Sequence, residues 1–486
     1  MPERFPMAPL SLRDLLATLA PGLGIPWAEG VVATDICIDS RQAGPGSLFV
    51  AFVGEQADGH DYAPQAMAAG ARLALIERPV AGVATVDTVA GAWPHDPVTS
   101  VVVRVPDTLL ALQALAQARR AQRPDLRVIG VTGSVGKTTT KEVIAGVLAQ
   151  RQGLLKSTGN RNNEIGLPLT LMTLQPAHRR AVLEMGMYAL GEIATLCAIA
   201  RPQVGVVTNV APIHLERLGS IERIAQAKAE LVQALSPEGV AVLNADDHRV
   251  AAMAGQTAAR VVTYGEAPTA AVRAVAIESL GLAGSAFTVR VSESPLWPNG
   301  AGEHRLRIGL LGRPAILAAL AAVAVGLVEG LAWPEIEQGL AEQREGLRLV
   351  GRPGRGEITL LDDSYNSSPP AALAALDLLR QLESRRVAVL GDMLELGDYE
   401  AEGHRQVGER AAASCDLLVT VGPRARGIAE AALAAGMAAA AIQAVETNRQ
   451  AIVCLEALLQ PADIVLVKGS RSMQMEEIVR AWEAQG

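Results

Sequence analysis

One segment constrains the fold of this chain more than any other: residues 127–142, with the sequence RVIGVTGSVGKTTTKE. Its opening run is rich in β-branched residues, which is typical of a buried parallel strand. Beyond it, Val143, Ile144, Val147 and Leu148 recur on one face at helical spacing. A strand, a glycine-containing loop and a helix in this order form a unit of a parallel α/β sheet. The sequence therefore predicts an α/β fold built around this segment.

The loop between the predicted strand and helix has the composition of a phosphate-binding site. Gly133 and Gly136 allow a tight turn in which backbone N–H groups and the positive end of the helix point at an anion. Lys137 adds positive charge, and Thr138 offers a hydroxyl of the kind that holds magnesium in such loops. The strict phosphate-loop spacing is not kept, because Val131 stands five residues before Gly136. A plain glycine turn with a solvated lysine is the alternative, and the flanking strand and helix argue against it.

Length and composition indicate a multidomain globular protein. The 486 residues are too many for one hydrophobic core, and 50% of them are hydrophobic, which is enough to bury several sheets. The formal net charge of −8 argues against a nucleic acid partner, because phosphate backbones are bound by basic surfaces. Any anionic ligand must therefore be met by local sites such as the glycine loop.

Cysteine spacing and hydropathy predict a cytoplasmic protein without a membrane span. Cys37, Cys197, Cys415 and Cys454 are far apart and form no CxxC pair, which favours free thiols over disulfides or zinc. No continuous signal-peptide core is present near the amino terminus. The longest apolar run, residues 315–328, is too short and too rich in alanine to cross a bilayer comfortably, so a buried helix is expected.

Changes in pattern divide the chain into three predicted α/β domains. Residues 1–106 alternate short strands with a helix. Residues 107–346 contain a doubly wound sheet that carries the glycine loop, then hairpins within 282–311 and an apolar helix over 315–331. Residues 347–486 repeat the α/β pattern and look Rossmann-like, without a phosphate fingerprint.

Polar side chains follow the predicted strands of the central domain directly. Glu184 ends one strand, Thr208 and Asn209 follow the next, and His214 lies a few residues further on. Ligands of doubly wound sheets collect outside the carboxyl ends of the strands, so Glu184 and His214 are expected near the phosphates held by Lys137. Both are candidates for magnesium binding or catalysis, with a structural role as the alternative.

Taken together, the motifs resemble the Mur ligase family over nearly the whole chain. Asp39-Ser40-Arg41 and Asp58-Gly59-His60 taken alone could be plain turns, but both match the nucleotide-sugar end of that family. The remaining matches are the glycine loop and residues 158–168 (TGNRNNEIGLP), 184–187 (EMGM), 362–366 (DDSYN), 390–397 (LGDMLELG) and 468–473 (KGSRSM). The last four are similar to the family member that adds a D-alanyl-D-alanine dipeptide.

The resemblance implies an ATP-dependent, ADP-forming peptide ligase of peptidoglycan synthesis. A carboxylate of UDP-N-acetylmuramoyl-tripeptide would attack the γ-phosphate of ATP to give an acyl phosphate. The amine of D-alanyl-D-alanine would then displace phosphate and form the pentapeptide precursor. Negative charge accumulates at each stage, and a lysine, magnesium ions and helix-terminal N–H groups would stabilise it. We expect ATP and two magnesium ions as cofactors, and a monomer.

The resemblance also implies roles residue by residue. ATP would be bound by Gly133, Ser134, Val135, Gly136, Lys137, Thr138 and Thr139, with Arg352 and Asp363 reaching it from the third domain. Magnesium would be held by Thr138, Glu184, His214 and a modified Lys228, and the catalytic residues would be Lys137, Glu184, His214 and Lys228. Substrate contacts are implied for Ser40, Arg41, Asp58, Gly59, His60, Asn160, Asn162, Asn163 and Asn366.

Lys228 is implied to act as a carbamate rather than as an ammonium. An ammonium beside a magnesium ion would be repelled, whereas a nitrogen carbamylated by CO₂ supplies an anionic oxygen ligand. Ile221, Ile224, Ala225 and Lys228 fall on one predicted helical face. The alternative is a solvated surface lysine.

One departure from the family pattern concerns the base of the nucleotide. Where the family usually has a histidine and two asparagines before the apolar helix, this chain has Pro314, Ala315 and Ala318. We therefore expect ATP to bind with altered base recognition through backbone groups.

Two other functions stay open at the level of sequence. One is an amide ligase of the same fold that uses a different amino acid or extends a glutamate chain, which the third-domain motifs argue against. The other is a degenerate nucleotide-binding or scaffold protein, which the intact Lys137, Glu184 and His214 argue against. Whether the third residue of the peptide is diaminopimelate or lysine is not encoded in a recognisable motif.

Overall fold

The computed structural model describes residues 4–54, 57–213, 215–342 and 349–484. It contains three sheets, of six, nine and six strands, with helices between the strands, so the predicted α/β class is confirmed. The chain divides into two compact units: residues 1–130, 152–186 and 192–203 form the first unit, and residues 131–151, 187–191 and 204–486 form the second. The domain boundaries expected after residues 106 and 346 stay predictions, and residues 346 and 347 lie outside the described residues.

The first unit contains the amino-terminal sheet, with strand order β1-β2-β3-β4-β6-β5. Only β1 is antiparallel to its neighbour. The strands are β1 Phe5–Ser11, β2 Val32–Cys37, β3 Ser47–Val50, β4 Leu73–Ile76, β5 Thr85–Asp87 and β6 Val101–Arg104, and the helices are α1 Leu12–Leu19, α2 Ala63–Ala68 and α3 Thr108–Ala121.

The strand β7, Arg127–Thr132, belongs to both units, because the division falls after Gly130. In the first unit its neighbour is β9, which pairs with β8 in parallel. The remaining elements of this unit are β8 Leu154–Lys156, α5 Gly166–Met172, β9 Arg180–Glu184 and α6 Glu192–Ala200.

In the second unit β7 is followed across the sheet by β10, β11, β12, β13, β14 and β15. The pair β14 and β15 is antiparallel, as the predicted hairpins require. The elements are α4 Lys137–Leu148, β10 Val204–Val207, α7 Leu215–Leu218, α8 Ile221–Gln233, β11 Val240–Asn244, α9 His248–Ala252, β12 Arg260–Gly265, β13 Val272–Ser279, β14 Ser285–Val291, β15 Gly302–Ile308, α10 Arg313–Val328 and α11 Trp333–Ala341.

The apolar helix expected near residue 315 is α10. It is apolar on every face, and such a helix is stable only when it is surrounded by protein. It packs against α4, the helix that follows the glycine loop. No helix of the described residues is long and apolar enough to cross a membrane.

The third sheet lies within the second unit and has the strand order β16-β17-β21-β18-β19-β20. All neighbours are parallel except β16 and β17. Because β21 lies between β17 and β18, Asp363 at the end of β17 is the register partner of Lys468 at the end of β21. The elements are β16 Val350–Pro353, β17 Thr359–Asp363, α12 Pro369–Arg380, β18 Arg386–Gly391, α13 Glu400–Ala412, β19 Leu417–Val421, α14 Arg426–Ala434, β20 Ile442–Val445, α15 Asn448–Leu458, β21 Ile464–Lys468 and α16 Glu476–Trp482.

Candidate active site

The glycine loop has the geometry predicted for a phosphate cradle. Gly136 precedes α4 with a φ of +82°, in the left-handed region that favours glycine. A Cβ on Gly133 would lie 1.9 Å from the hydroxyl oxygen of Thr208, so only glycine fits there. Since Gly136 has no side chain to cap α4, an anion can fill the capping position at the positive end of the helix. Lys137 is half-buried and its Nζ donates to the carbonyls of Gly133, at 2.9 Å, and Ser134, at 3.2 Å.

The loop is braced by the residues that follow β10. The side-chain oxygen of Asn209 accepts from the N–H of Val135 at 2.8 Å, and its backbone oxygen accepts from the N–H of Ser134 at 2.9 Å. The Thr208 hydroxyl and the Asn209 amide both donate to the carbonyl of Val135. These hydrogen bonds fix the backbone of the loop at Ser134 and Val135, a role that the sequence did not assign to Thr208 and Asn209.

A mostly apolar pocket in the second unit joins the glycine loop to the third sheet. The loop contributes Val135, Gly136, Thr138 and Thr139, and the third sheet contributes Asp363, Asn366 and Lys468. Between them stands a wall without polar side chains, made of Leu310, Leu311, Gly312, Pro314, Ala315, Leu349, Ala371, Ala374, Ala375 and Leu378. A pocket with a polar phosphate end and an apolar wall suits a nucleotide, with the base against the wall.

Within this pocket Asp363 is paired with a buried lysine. The Nζ of Lys468 lies 2.6 Å from Oδ2 of Asp363 and donates to the carbonyl of Asn366 at 2.9 Å. Asp363 is 8% exposed and Lys468 is 2% exposed. Asp363 and Asn366 were predicted from the sequence, whereas Lys468 was not, although it lies in the KGSRSM motif.

Lys228 lies on α8 with its side chain buried, so the solvated alternative is wrong. Burial lowers the pKa of its amine well below the usual range, and the positive charge of Lys137 acts in the same direction. A neutral amine is the form that reacts with CO₂, so this environment suits a carbamate.

Glu184 is a buried carboxylate at the end of β9 in the first unit. It is 1% exposed, and its Oε1 accepts from the side-chain amide of Asn162 at 2.8 Å. Its Oε2 has no hydrogen-bond partner among the described residues. A buried carboxylate oxygen without a partner is costly unless a cation meets it, so the site fits a magnesium ligand.

One residue of the asparagine-rich segment that follows β8, Asn162, contacts this carboxylate. Besides its amide contact with Glu184, Asn162 accepts at its carbonyl from the N–H of Gly186 at 2.7 Å. The side chain of Asn163 accepts from the N–H of Gly166, the first residue of α5, at 2.8 Å, while Asn160 is exposed. Asn162 thus positions Glu184, and the substrate contacts implied for the three asparagines stay predictions.

The two amino-terminal motifs, residues 39–41 and 58–60, have different environments. His60 is buried: its Nδ1 lies 2.6 Å from Asp58, and its Nε2 accepts from the N–H of Glu77 at 3.0 Å. Hydrogen bonds from His60 lower the pKa of Asp58 to about 2. This motif therefore shapes its own loop. Arg41 is exposed and forms an ion pair with Asp39, and the neighbouring Ser40 is buried.

Some residues predicted for the nucleotide site do not line the pocket: Gly133, Ser134 and Lys137 lie elsewhere in the glycine loop, and Arg352 lies on β16. Arg352 on β16 pairs with Glu483 at 2.8 Å and with Asp362 at 3.3 Å, and it is not among the residues that line the pocket. Its contact with ATP stays a prediction. His214 lies outside the described residues. Within the described residues no group of three or more His, Cys, Asp and Glu side chains could hold a metal ion.

The fold and the pocket define an α/β nucleotide-binding protein with a phosphate-binding loop. Three family profiles match it: "Mur ligase family, catalytic domain" at residues 33–120, "Mur ligase middle domain" at 131–326 and "Mur ligase, glutamate ligase domain" at 347–471. The chain belongs to the Mur ligase family. The expected enzyme class, an ATP-dependent, ADP-forming peptide ligase, is thereby confirmed.

The similarity to individual relatives extends over nearly the whole length of this chain. The UDP-N-acetylmuramoyl-tripeptide–D-alanyl-D-alanine ligase of Synechocystis is 38% identical, over 93% of this chain and 92% of the relative. The Escherichia coli ligase of the same name is 36% identical, over 93% and 94%. Among solved structures, MurF from Acinetobacter baumannii has a TM-score of 0.84 at 30% identity, over 98% of this chain and 99% of that one. MurF from Thermotoga maritima in complex with ADP has a TM-score of 0.77 at 26% identity, over 92% and 96%.

Proposed function

We propose that this protein joins D-alanyl-D-alanine to UDP-N-acetylmuramoyl-tripeptide with conversion of ATP to ADP and phosphate, in the cytoplasm and as a monomer. The pocket that joins the glycine loop to Asp363 and Asn366 carries the proposal, because it lets one ligand contact a phosphate-binding loop and the third sheet together. The names of the relatives supply the substrates, and the ADP complex of the Thermotoga protein supports the nucleotide.

In this mechanism the chain contributes positioning and electrostatics. Lys137 and the amino end of α4 would stabilise the γ-phosphate as the tripeptide carboxylate attacks it. An acyl phosphate forms and ADP leaves. The amine of the dipeptide then attacks the acyl carbon, the peptide bond forms, and phosphate departs.

We assign two magnesium ions to Thr138, Glu184, His214 and carbamylated Lys228. Bound magnesium would supply positive charge to offset the charge that develops on the transferred phosphate. The unpartnered oxygen of Glu184 and the lowered pKa of Lys228 support the assignment.

A coupled assay of ADP release tests the reaction. Activity should require the tripeptide substrate, ATP and D-alanyl-D-alanine together, and the diaminopimelate and lysine tripeptides should be compared. Equal activity with a single amino acid or glutamate would favour a different amide ligase of this fold. ATP binding with no phosphate release under any combination would favour the degenerate nucleotide-binding protein.

Replacing Glu184 with glutamine is expected to raise the magnesium concentration needed for half-maximal activity by about 10- to 100-fold. The amide keeps the shape of the side chain but loses the charge that attracts the ion. Magnesium titrations of ADP release would measure this shift. The control is Glu238→Gln, at an exposed glutamate after α8. Equal magnesium dependence in Glu184→Gln and the unaltered protein would show that Glu184 is not a magnesium ligand.

The apolar wall of the pocket predicts weak discrimination between nucleotide bases. No side-chain amide or hydroxyl among the residues of that wall can be left unpaired by a different base, so rejection of GTP should be small. We expect kcat/KM for ATP and GTP to differ by less than about tenfold. Both nucleotides would be compared at saturating tripeptide and dipeptide. A preference above a hundredfold would show that groups outside this wall read the base.

A further inference from the structure

The buried pair of Asp363 and Lys468 places opposite charges in the wall of the nucleotide pocket. The two residues are register partners at the carboxyl ends of adjacent parallel strands, so the sheet itself sets their separation. The pair lines the same pocket as Gly136 and Thr138. The Nζ of Lys468 also donates to the carbonyl of Asn366, so the same ammonium holds the backbone of the loop that follows β17.

The carboxylate of Asp363 alone would oppose nucleotide binding. ATP and ADP carry several negative charges, and a charge repels another strongly where water is largely excluded. Lys468 offsets this charge with its Nζ 2.6 Å from Oδ2 of Asp363. Removing the Lys468 cation would leave the buried charge of Asp363 less compensated.

We infer that Lys468 is a positioning residue for nucleotide binding: it neutralises Asp363 and holds the 363–366 loop so that the pocket accepts a nucleoside di- or triphosphate. It acts through Asp363 and does not itself contact the reacting atoms. This inference rests on the proposed function, because it takes the ligand of the pocket to be a nucleotide.

The charge argument predicts a rescue that a purely structural role does not. Lys468→Gln keeps a hydrogen-bond donor but removes the charge, and should raise the Kd for ADP by about 10- to 30-fold. Adding Asp363→Asn to this variant removes the repelling charge but also the carboxylate contact implied for Asp363, so ADP affinity should recover in part, by about threefold or more relative to Lys468→Gln. If Lys468 contributes only packing, adding Asp363→Asn would leave the loss of ADP affinity unchanged or make it larger.

The test is calorimetric ADP binding to the full chain, with thermal unfolding measured on every variant. The matched control is Arg385→Gln, which removes the cation from another buried carboxylate, Asp463, just before β21. That variant should lose stability but keep ADP affinity. Unchanged affinity in Lys468→Gln, or a double variant as weak as the single one, would overturn the inference. Failure of the unaltered protein to bind ADP would instead refute the proposed function.

Discussion

Replacing Lys137 with alanine is expected to lower ligase turnover by about 10³-fold or more while leaving the fold intact. The ammonium lies at the amino end of α4, where the transferred phosphate would sit, and charges placed there contribute most of the catalysis in phosphoryl transfer. The lost side chain contributes two hydrogen bonds to loop carbonyls, so the effect on unfolding should be a few degrees in Tm.

Three variants separate the charge of Lys137 from its shape. Lys137→Arg keeps the charge on a larger planar group and should recover only part of the activity, because the two cations are not interchangeable in a tight loop. Arg260→Ala removes an exposed cation at the amino end of β12 and should behave like the unaltered protein. Near-normal turnover of Lys137→Ala, in an ADP-release assay with all three substrates, would mean that the glycine loop is not the phosphate site.

The local units of the fold were predictable because each one is encoded in consecutive residues. The strand, glycine loop and helix around Lys137 needed only β-branched residues, two glycines and helical spacing, and the structure has them at β7 and α4. The buried helix α10 followed from an apolar run without a polar face. These patterns depend on the sequence within one element.

Contacts between distant elements were not predictable in the same way. Lys468 and Asp363 are 105 residues apart, and they meet only because β21 lies between β17 and β18 in the sheet. The bracing of the glycine loop by Asn209 depends in the same way on the pairing of strands. No local pattern specifies strand order, so these roles required the structure.

Burial also differs between residues whose sequence motifs are similar. His60 and Arg41 come from similar polar motifs, yet His60 is buried within its own loop and Arg41 is exposed. Lys228 is a second example, because it is buried on α8 although the sequence left open a position in solvent. Which face of a helix is covered depends on its neighbours in space.

The second large effect is expected at Lys228. Lys228→Ala should be nearly inactive, with turnover reduced by about 10³-fold, because a magnesium ion would lose an anionic ligand that also keeps positive charge near the phosphate. Short carboxylic acids such as acetate or formate fit the space left by the side chain and offer the same oxygen chemistry. They should restore activity by about tenfold or more. Lys137→Ala should show no such rescue, since its missing group is a cation.

The environment of Lys228 explains why the modification is favoured at this position. Carbamylation requires the neutral amine, and the pKa of Lys228 is lowered first by burial and then by the charge of Lys137. A larger fraction of its amine is therefore neutral at neutral pH than for an exposed lysine, which would be almost fully protonated. Lys137→Ala should consequently raise the pKa of Lys228 and reduce its carbamate occupancy.

Carbon-13 NMR of the protein equilibrated with labelled CO₂ would observe the carbamate directly, and Lys228→Ala would identify its signal. We expect one carbamate resonance that is absent from the variant and weaker in Lys137→Ala. Removal of CO₂ and bicarbonate should lower activity, and their return should restore it. Full activity of Lys228→Ala would refute the ligand role. An active protein whose NMR spectrum shows no carbamate would refute the modification, since an unmodified ammonium cannot coordinate magnesium.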